Sequence, residues 1–209
     1  MSERSIEGRP RIGIFGGSFD PVHDGHLAVA VAARDARQLD RVLWIVANRS
    51  PFKAGTTAIA EDRLAMVRLA IEGVAKMEAS DLELKRPGPS YTIDTARAIR
   101  AENVDAELFL ILGSDTLESF VQWRDVKSVI DLAAPIVVPR RGVGREVLAQ
   151  CQERLGAEGA AKLGAGWVDR PFVDVSSTDI RGRLTAGKPL TGLVPKKVEA
   201  YIVEKGLYR

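Results

Sequence analysis

The sequence is poor in several residue types, and each shortage excludes a class of protein. A single cysteine, Cys151, among 209 residues excludes an intrachain disulfide framework and a cysteine-rich zinc site. Thirty Lys and Arg residues against 28 Asp and Glu leave a net charge of +2, which provides no broad positive field for nucleic acid or an anionic membrane. No apolar run reaches the ~20 residues of a membrane span. We therefore expect a cytoplasmic globular protein with neither nucleic-acid nor membrane partners, whose oligomeric state the sequence leaves open.

The hydrophobic residues, 45% of the chain, form short apolar runs that alternate with helical periods. The runs are apolar on both faces, as buried parallel strands are, so the alternation predicts a doubly wound α/β sheet with a helical C-terminal extension. The predicted strands are Arg11–Phe15, Val42–Ala47, Glu107–Leu112, Pro135–Val138 and Phe172–Val175, with Lys76–Asp81 as a weaker candidate. The predicted helices are Leu27–Gln38, Glu61–Val74, Thr92–Glu102, Asp115–Phe120, Gly144–Leu155, Thr178–Ala186 and Pro195–Lys205.

No repeat or long linker divides the chain, so we predict one domain over residues 11–209, preceded by a flexible segment at 1–10. The segments 48–60 and 156–166 are rich in Gly, Ala and small polar residues, and we expect them to be the least ordered. In doubly wound sheets, ligands bind beyond the carboxyl ends of the strands. A site residue should therefore come directly after a strand.

Two adjacent glycines, Gly16 and Gly17, follow the first predicted strand and precede a helix that begins near Asp24. Such a turn presents free backbone N–H groups and the positive end of a helix dipole, which suit phosphate, although for two glycines alone an ordinary tight turn is the favoured explanation. The chain has only two histidines, His23 and His26, and both lie at this turn. Because a zinc site needs further ligands that are not nearby, we interpret the histidines as donors to phosphate.

The segment from Gly16 to His26 reads G-G-S-F-D-P-V-H-D-G-H and resembles the signature of the nucleotidylyltransferase superfamily. Within it the chain resembles the bacterial nicotinate-mononucleotide adenylyltransferases, over about residues 11 to 208. The resemblance implies a Rossmann-like α/β fold and transfer of an adenylyl group from ATP to nicotinate mononucleotide. The products would be deamido-NAD, in NAD biosynthesis, and pyrophosphate. It also implies Mg²⁺ bound through the ATP phosphates rather than by protein side chains.

A second motif, V-S-S-T-D-I-R at 175–181, resembles the family's I-S-S-T-x-I-R, with Val175 in place of isoleucine. In the family its hydroxyls, helix N-terminus and arginine hold the β- and γ-phosphates of ATP. A helix cap formed by Ser176 and Asp179 is the alternative interpretation. Both roles are compatible, because a capped helix N-terminus still offers N–H groups to an anion.

A third segment, Gly113-Ser114-Asp115, resembles the family's G-[AS]-D, which faces the adenosine ribose, although Asp115 could instead cap the next helix. Taken together, the resemblance implies an ATP site that is formed by catalytic residues and by ATP-binding residues. The catalytic residues would be His23, His26, Lys53 and Arg181. The ATP-binding residues would be Gly16, Gly17, Ser18, Phe19, Gly113, Asp115, Ser176, Ser177 and Thr178.

The string G-P-S-Y-T-I-D-T at 88–95 resembles the family segment that meets the nicotinate carboxylate. A tryptophan that the family stacks on the pyridine ring matches Trp123. Packing of Tyr91 and Trp123 in the core, and a helix cap at Thr92, are the alternatives. The acceptor-binding residues implied are Tyr91, Thr92, Trp123, Arg140 and Arg141, the last two as candidates for the substrate phosphate.

One departure from the family concerns the loop after the second strand, where Phe52 stands in place of a histidine and Lys53 is retained. A role of that histidine cannot be transferred to this chain. Two alternatives for the whole protein remain at this point. It could adenylylate another phosphate monoester, such as nicotinamide mononucleotide or phosphopantetheine, or it could bind nucleotides as a regulator without catalysis.

Overall fold

The computed structural model describes residues 8–51, 55–140, 142–169 and 173–209. Its centre is a parallel sheet of five strands in the order β3-β2-β1-β4-β5, which confirms the predicted α/β class. The strands are β1 (Arg11–Gly17), β2 (Arg41–Val46), β3 (Met77–Ser80), β4 (Glu107–Gly113) and β5 (Ala134–Val138). The strand order reverses at β1, between β2 and β4, and this switch point opens a crevice beyond the carboxyl ends of the strands.

Helices cover both faces of the sheet and bury a separate apolar cluster on each. The helices are α1 (Asp24–Ala36), α2 (Ala60–Ile71), α3 (Thr92–Glu102), α4 (Leu117–Phe120), α5 (Val126–Leu132), α6 (Val147–Ala165), α7 (Ser177–Thr185) and α8 (Lys196–Lys205), with a 3-10 turn at Ser114–Thr116 before α4. Buried residues of α1, α2, α7 and α8 pack on one face, and those of α3 to α6 on the other. Across the described ranges, no helix has the length and apolar character needed to cross a membrane.

The prediction of a strand at Phe172–Val175 is wrong for the part that the structure describes, because residues 173–175 form no strand. The outer edge of β5 is already occupied at Val137 by the segment that ends α6. Val137 N donates to Gly166 O at 3.0 Å, and Val168 N donates to Val137 O at 2.8 Å. An isolated β-bridge between Val137 and Trp167 therefore lies at the outer edge of β5, in place of the sixth strand that the sequence predicted.

The prediction of weak order at 156–166 is also wrong, because α6 continues through this segment to Ala165. Gly156, with φ of 79°, kinks the helix but does not end it. The second half is held by the buried residues Ala160 and Leu163, which pack into the sheet. Helix α5 was not predicted at all; its seven residues are too few to show a helical period.

Candidate active site

Two adjoining cavities lie at the carboxyl ends of the central strands. The polar cavity, of about 530 Å³, is lined by the turn after β1, the N-terminus of α7 and Arg140. The aromatic cavity, of about 390 Å³, is lined by Tyr91, Thr92 and Trp123. Both cavities share Gly16, Gly17 and Ser18 of the β1–α1 turn, together with Gly113, Asp115 and Thr116 after β4. A ligand in one cavity therefore meets a ligand in the other at these two strand ends.

The two histidines lie against each other where α1 begins. His23 is the N-cap of α1, and its Nδ1 accepts the backbone N–H of His26 at 3.3 Å. In return, Nδ1 of His26 accepts the backbone N–H of His23 at 3.3 Å, and the rings stack at 3.7 Å between centroids. Because both Nδ1 atoms accept, the hydrogen bonds assign the ring proton of each neutral imidazole to Nε2. Both side chains line the polar cavity.

The glycines of the turn have different functions. A Cβ on Gly17 would come within 2.9 Å of the Phe19 ring, which is buried and lies edge-on to His26 at 5.0 Å. Gly17 is therefore required by packing, and Phe19 holds the histidine ring. A Cβ on Gly16 would meet nothing within 4 Å, although Gly16 lines both cavities. Gly16 leaves its backbone open to a ligand.

The N-terminus of α7 closes the polar cavity from the opposite side. Ser176 caps the helix by accepting from Asp179 N at 3.1 Å, as the capping interpretation predicted. Ser177 Oγ donates to Pro21 O at 2.9 Å, and Arg181 donates to Asp20 O at 2.7 Å. These bonds fix α7 on the β1–α1 turn. Thr178 accepts from the other terminal nitrogen of Arg181 at 3.3 Å, which orients the guanidinium at the cavity.

Asp20 connects three distant segments, and sequence reasoning gave it no function. Its carboxylate is buried and accepts from Thr57 N at 2.7 Å, from Ala58 N at 3.0 Å and from the Tyr208 hydroxyl at 2.8 Å. Burial, and secondly the Asp20 charge, raise the pKa of Tyr208 well above its usual range. The penultimate residue of the chain thus anchors the turn that carries the histidines.

Arg63, on α2, is the second connecting residue that was missed. Its guanidinium is buried and donates to Ala58 O at 3.2 Å, to Ser18 O at 2.7 Å and to Asn48 O at 3.4 Å. Burial lowers the pKa of Arg63, and the charge of nearby Asp20 opposes the shift. The signal was present in the sequence, because Arg63 lies on the apolar stripe of α2, three and four residues before Met66 and Val67.

The end of β4 and the end of β5 pack together through Asp115 and Arg140. A Cβ on Gly113 would clash with Asp115 Oδ1 and lie 2.8 Å from Arg140 Cδ, so a side chain at this position would displace both residues. Arg140 donates to Val175 O at 2.8 Å, and its Nη1 lies 3.8 Å from Asp115 Oδ2. Asp115 Oδ1 and Arg140 Nε are buried without a hydrogen-bond partner among the described residues. Such atoms favour a polar ligand at this junction.

One alternative for this region is wrong. Asp115 is not a helix cap; the residues that precede the 3-10 turn and α4 are Gly113 and Thr116. Arg140, a predicted candidate for the substrate phosphate, lines the polar cavity beside the residues that both cavities share, and its role stays a prediction. Its side chain extends across Gly113 toward α7. Two further predicted residues, Lys53 and Arg141, lie outside the described residues.

The aromatic cavity contains the remaining predicted acceptor residues. Tyr91 is the N-cap of α3 and makes no side-chain cap, and Thr92 is the first helical residue, so the prediction of a cap at Thr92 is wrong. The first N–H groups of α3 therefore have no side-chain acceptor from the cap position. Trp123 packs edge-on against Phe120 at 5.0 Å and also lines the cavity, so the packing and binding interpretations are compatible. Arg124, which was not predicted, lies over the Tyr91 ring.

No set of three or more His, Cys, Asp or Glu side chains is placed to hold a metal within the described part of the chain. Asp20, an acidic residue of the same turn, already accepts three hydrogen bonds. The polar cavity instead presents donors: two imidazoles, Arg181, Arg140 and a helix N-terminus. This donor set is suited to a polyphosphate, which can bring Mg²⁺ with it.

Comparison with known proteins agrees with this geometry. Residues 14–183 match the family model described as cytidylyltransferase-like. Curated proteins named "Probable nicotinate-nucleotide adenylyltransferase" are similar over nearly their full length. The protein from Roseiflexus sp. (strain RS-1) is 41% identical, covering 95% of this chain and 98% of its own. That from Gloeobacter violaceus is 42% identical, covering 95% and 96%.

A solved structure shows the same fold. Plasmodium falciparum nicotinic acid mononucleotide adenylyltransferase complexed with NaAD aligns with a TM-score of 0.77 at 19% identity, covering 96% of this chain and 98% of that one. The matched family model spans most of the chain, and the curated relatives span nearly all of it. This chain therefore belongs to the cytidylyltransferase-like family and, within it, to the nicotinate-nucleotide adenylyltransferases.

Proposed function

We propose that this chain transfers the adenylyl group of ATP to nicotinate mononucleotide, giving deamido-NAD and pyrophosphate in NAD biosynthesis. The observation that carries the proposal is the junction of the two cavities at Gly16–Ser18 and Gly113–Thr116. One cavity is lined by donors to phosphate, and the other by aromatic rings that suit a pyridine. The names of the curated relatives support this reaction. So do the titles of the Plasmodium structures, which were determined with NaAD and with APC.

The reaction needs no strong base. A phosphate monoester has a second pKa of about 6, so the 5′-phosphate of the acceptor is mostly a dianion at neutral pH. One of its oxygens forms a bond to the α-phosphorus of ATP while the bond from that phosphorus to the α,β-bridging oxygen breaks. The electron pair leaves with pyrophosphate. Catalysis then consists of positioning the two nucleotides and stabilising charge on the phosphates.

The polar cavity provides the groups for ATP. We assign the Nε2–H of His26 to the α-phosphate, with His23 and the backbone of Gly17 and Ser18 aligning the triphosphate. Ser176, Ser177 and Thr178 at the N-terminus of α7 hold the leaving pyrophosphate, and Arg181 neutralises part of its charge. From sequence alone, Lys53 is assigned to the same group. Mg²⁺, bound through the phosphate oxygens and water, would add charge neutralisation to the donors of this cavity.

The adenosine is assigned to the strand ends. Gly16 lies open to the ligand, and Phe19 supports the turn. Gly113 and Asp115 face the ribose, for which the unpartnered Oδ1 of Asp115 is a suitable acceptor of a hydroxyl proton.

The aromatic cavity receives the acceptor. Trp123 stacks on the pyridine ring, and the ring carboxylate lies at the start of α3, where Tyr91 and Thr92 leave N–H groups without a side-chain cap. The 5′-phosphate of the acceptor must reach the junction to attack ATP. Arg140 lies there with a buried, unpartnered Nε, and we assign it to that phosphate. From sequence alone, Arg141 has the same assignment.

The decisive experiment is a pyrophosphate-release assay with ATP and Mg²⁺ in which three acceptors are compared. Nicotinate mononucleotide should be consumed with formation of deamido-NAD, whereas nicotinamide mononucleotide and phosphopantetheine should react at least ten times more slowly. Faster reaction with phosphopantetheine would overturn the assignment of the aromatic cavity. If no pyrophosphate is released with any of the three acceptors, adenylyl transfer is refuted, and the alternative is a nucleotide-binding protein without catalysis.

A further inference from the structure

Arg124 is a charged residue at the aromatic cavity to which neither the motifs nor the proposed function assign a role. It follows Trp123 directly, and its guanidinium carbon lies 4.9 Å from the centroid of the Tyr91 ring. A guanidinium at this distance from an aromatic face is held by a cation–π interaction. The residue is exposed and also lines the cavity, so its charged end remains accessible to a ligand.

The other charged residues of this cavity carry the opposite sign. Among the described residues that line it, Glu83 and Asp115 are acidic and Arg124 is the only lysine or arginine. Glu83 is buried and accepts a hydrogen bond from Thr95 Oγ1, which in turn accepts from Arg86. A buried carboxylate in the wall of this cavity, that of Glu83, opposes the binding of an anionic ring substituent. A cation at the same site is therefore needed if the ligand carries a carboxylate.

We propose that Arg124 is a specificity-determining residue that selects a pyridine nucleotide with a ring carboxylate over the same nucleotide with a carboxamide. The inference rests on the proposed function of the aromatic cavity. A guanidinium donates two parallel hydrogen bonds to a carboxylate, and the charge of the ligand strengthens both. Tyr91 and Thr92, at the start of α3, line the same cavity as Arg124.

A carboxamide binds less well at this position for two reasons. It is neutral, so it gains little from Arg124, and its NH₂ group is a donor that would face other donors. Discrimination then comes from an interaction that only the acid makes and from a mismatch that only the amide suffers. Tyr91 supports this selection indirectly, because its ring fixes the position of the guanidinium.

The test compares wild-type protein with Arg124→Gln, using nicotinate and nicotinamide mononucleotides with saturating ATP. We expect kcat/KM for the acid to fall at least tenfold and kcat/KM for the amide to stay within about twofold, so that the acid-to-amide ratio collapses. KM for ATP should not change. Arg124→Lys, which keeps the charge without the planar fork, should give an intermediate ratio.

Arg97→Gln is the matched control. Arg97 is a nearby arginine on α3 whose guanidinium lies 3.8 Å from Asp125, and it does not line the aromatic cavity. Its replacement should leave the acid-to-amide ratio at the wild-type value. An equal loss of both activities in Arg124→Gln, or an unchanged ratio, would overturn the inference.

Titration calorimetry of the two mononucleotides separates this inference from the proposed function. Failure of wild-type protein to release pyrophosphate would refute adenylyl transfer, while the binding ratio would still decide the role of Arg124. Preferential binding of the acid that disappears in Arg124→Gln supports the inference. Equal affinity of wild-type protein for acid and amide refutes it.

Discussion

At the scale of single residues, the neighbouring glycines Gly16 and Gly17 differ in their surroundings: Gly16 borders open space, whereas Gly17 is in contact with the Phe19 ring. Gly16→Val should fold normally, because a Cβ at this position meets nothing within 4 Å and valine is favoured in β-strands. It should nevertheless raise KM for ATP at least tenfold, since the side chain would occupy the space between the two cavities. Thermal unfolding and initial rates measure the two effects separately.

The neighbouring substitution serves as the matched comparison. In Gly17→Ala the new Cβ would lie 2.9 to 3.2 Å from the Phe19 ring, which must shift within a packed cluster. We expect a loss of about 1 to 3 kcal/mol in the free energy of unfolding. Equal destabilisation by the two substitutions would mean that Gly16 is also held by packing.

His26 has a structural and a chemical role, and two variants distinguish them. His26→Ala removes the capping acceptor for His23 N and the Nε2–H donor together. His26→Gln keeps an acceptor that suits this position of a capping box. Both variants should lose about 10² to 10³ in kcat with little change in KM for ATP, as loss of one transition-state donor does. Only the alanine variant should unfold at lower temperature; near-normal turnover in either one would refute the assignment.

At the scale of elements, Arg63 connects α2 to the loops after β1 and β2. Arg63→Met should lower the free energy of unfolding by about 3 kcal/mol, because the carbonyls of Ser18, Asn48 and Ala58 lose a charged donor. KM for ATP should rise as well, since Ser18 lines the polar cavity. Urea denaturation and initial rates would measure these changes. Arg68→Met, an exposed position on the same helix, is the control and should leave both quantities unchanged.

Sequence periodicity correctly predicted the helices whose buried residues recur at regular spacing within one short segment. Helix α3 begins and ends at the predicted residues, Thr92 and Glu102, because its buried stripe repeats at the helical period. The second half of α6 contains Gly156, Gly159 and Gly164, which weaken a helix, and burial of Leu163 in the core cluster beside the sheet stabilises it. At Val137 the outer edge of β5 pairs with the segment that ends α6, and residues 173–175 form no strand. Tertiary contacts, rather than local sequence, determined the conformation of these two segments.

In the candidate site, too, local sequence predicted some residues, whereas others depend on long-range contacts. Its motifs each follow a strand or begin a helix, so sequence spacing was sufficient to find His23, His26 and the α7 residues. Asp20 and Tyr208 are 188 positions apart in sequence, and no local pattern connects them. The path of the Arg140 side chain across Gly113 could not be read from the sequence either. Long-range contacts hold the site together, whereas local motifs supply its chemistry.

At the scale of the whole molecule, the C-terminus stabilises the catalytic turn in a way that depends on pH. In the unfolded chain Tyr208 ionises near pH ~10. In the folded protein its pKa is raised, first by burial and then by the Asp20 carboxylate. Below pH ~10 both states keep the proton and the contribution of the hydroxyl is fully present. Above it, only the unfolded state loses the proton, so stability falls by up to about 1.4 kcal/mol per pH unit.

Tyr208→Phe removes this titration together with the 2.8 Å hydrogen bond to Asp20. At pH ~8 the variant should be less stable than wild-type protein by about 1 kcal/mol. Between pH ~9.5 and ~11 its stability should fall less steeply, so that the two curves converge. Tyr201, whose pKa is raised to about 12 by burial and by Asp62, contributes to both proteins and cancels in the difference. Urea denaturation at fixed pH measures the gap, and a gap that stays constant across this range would contradict a raised pKa for Tyr208.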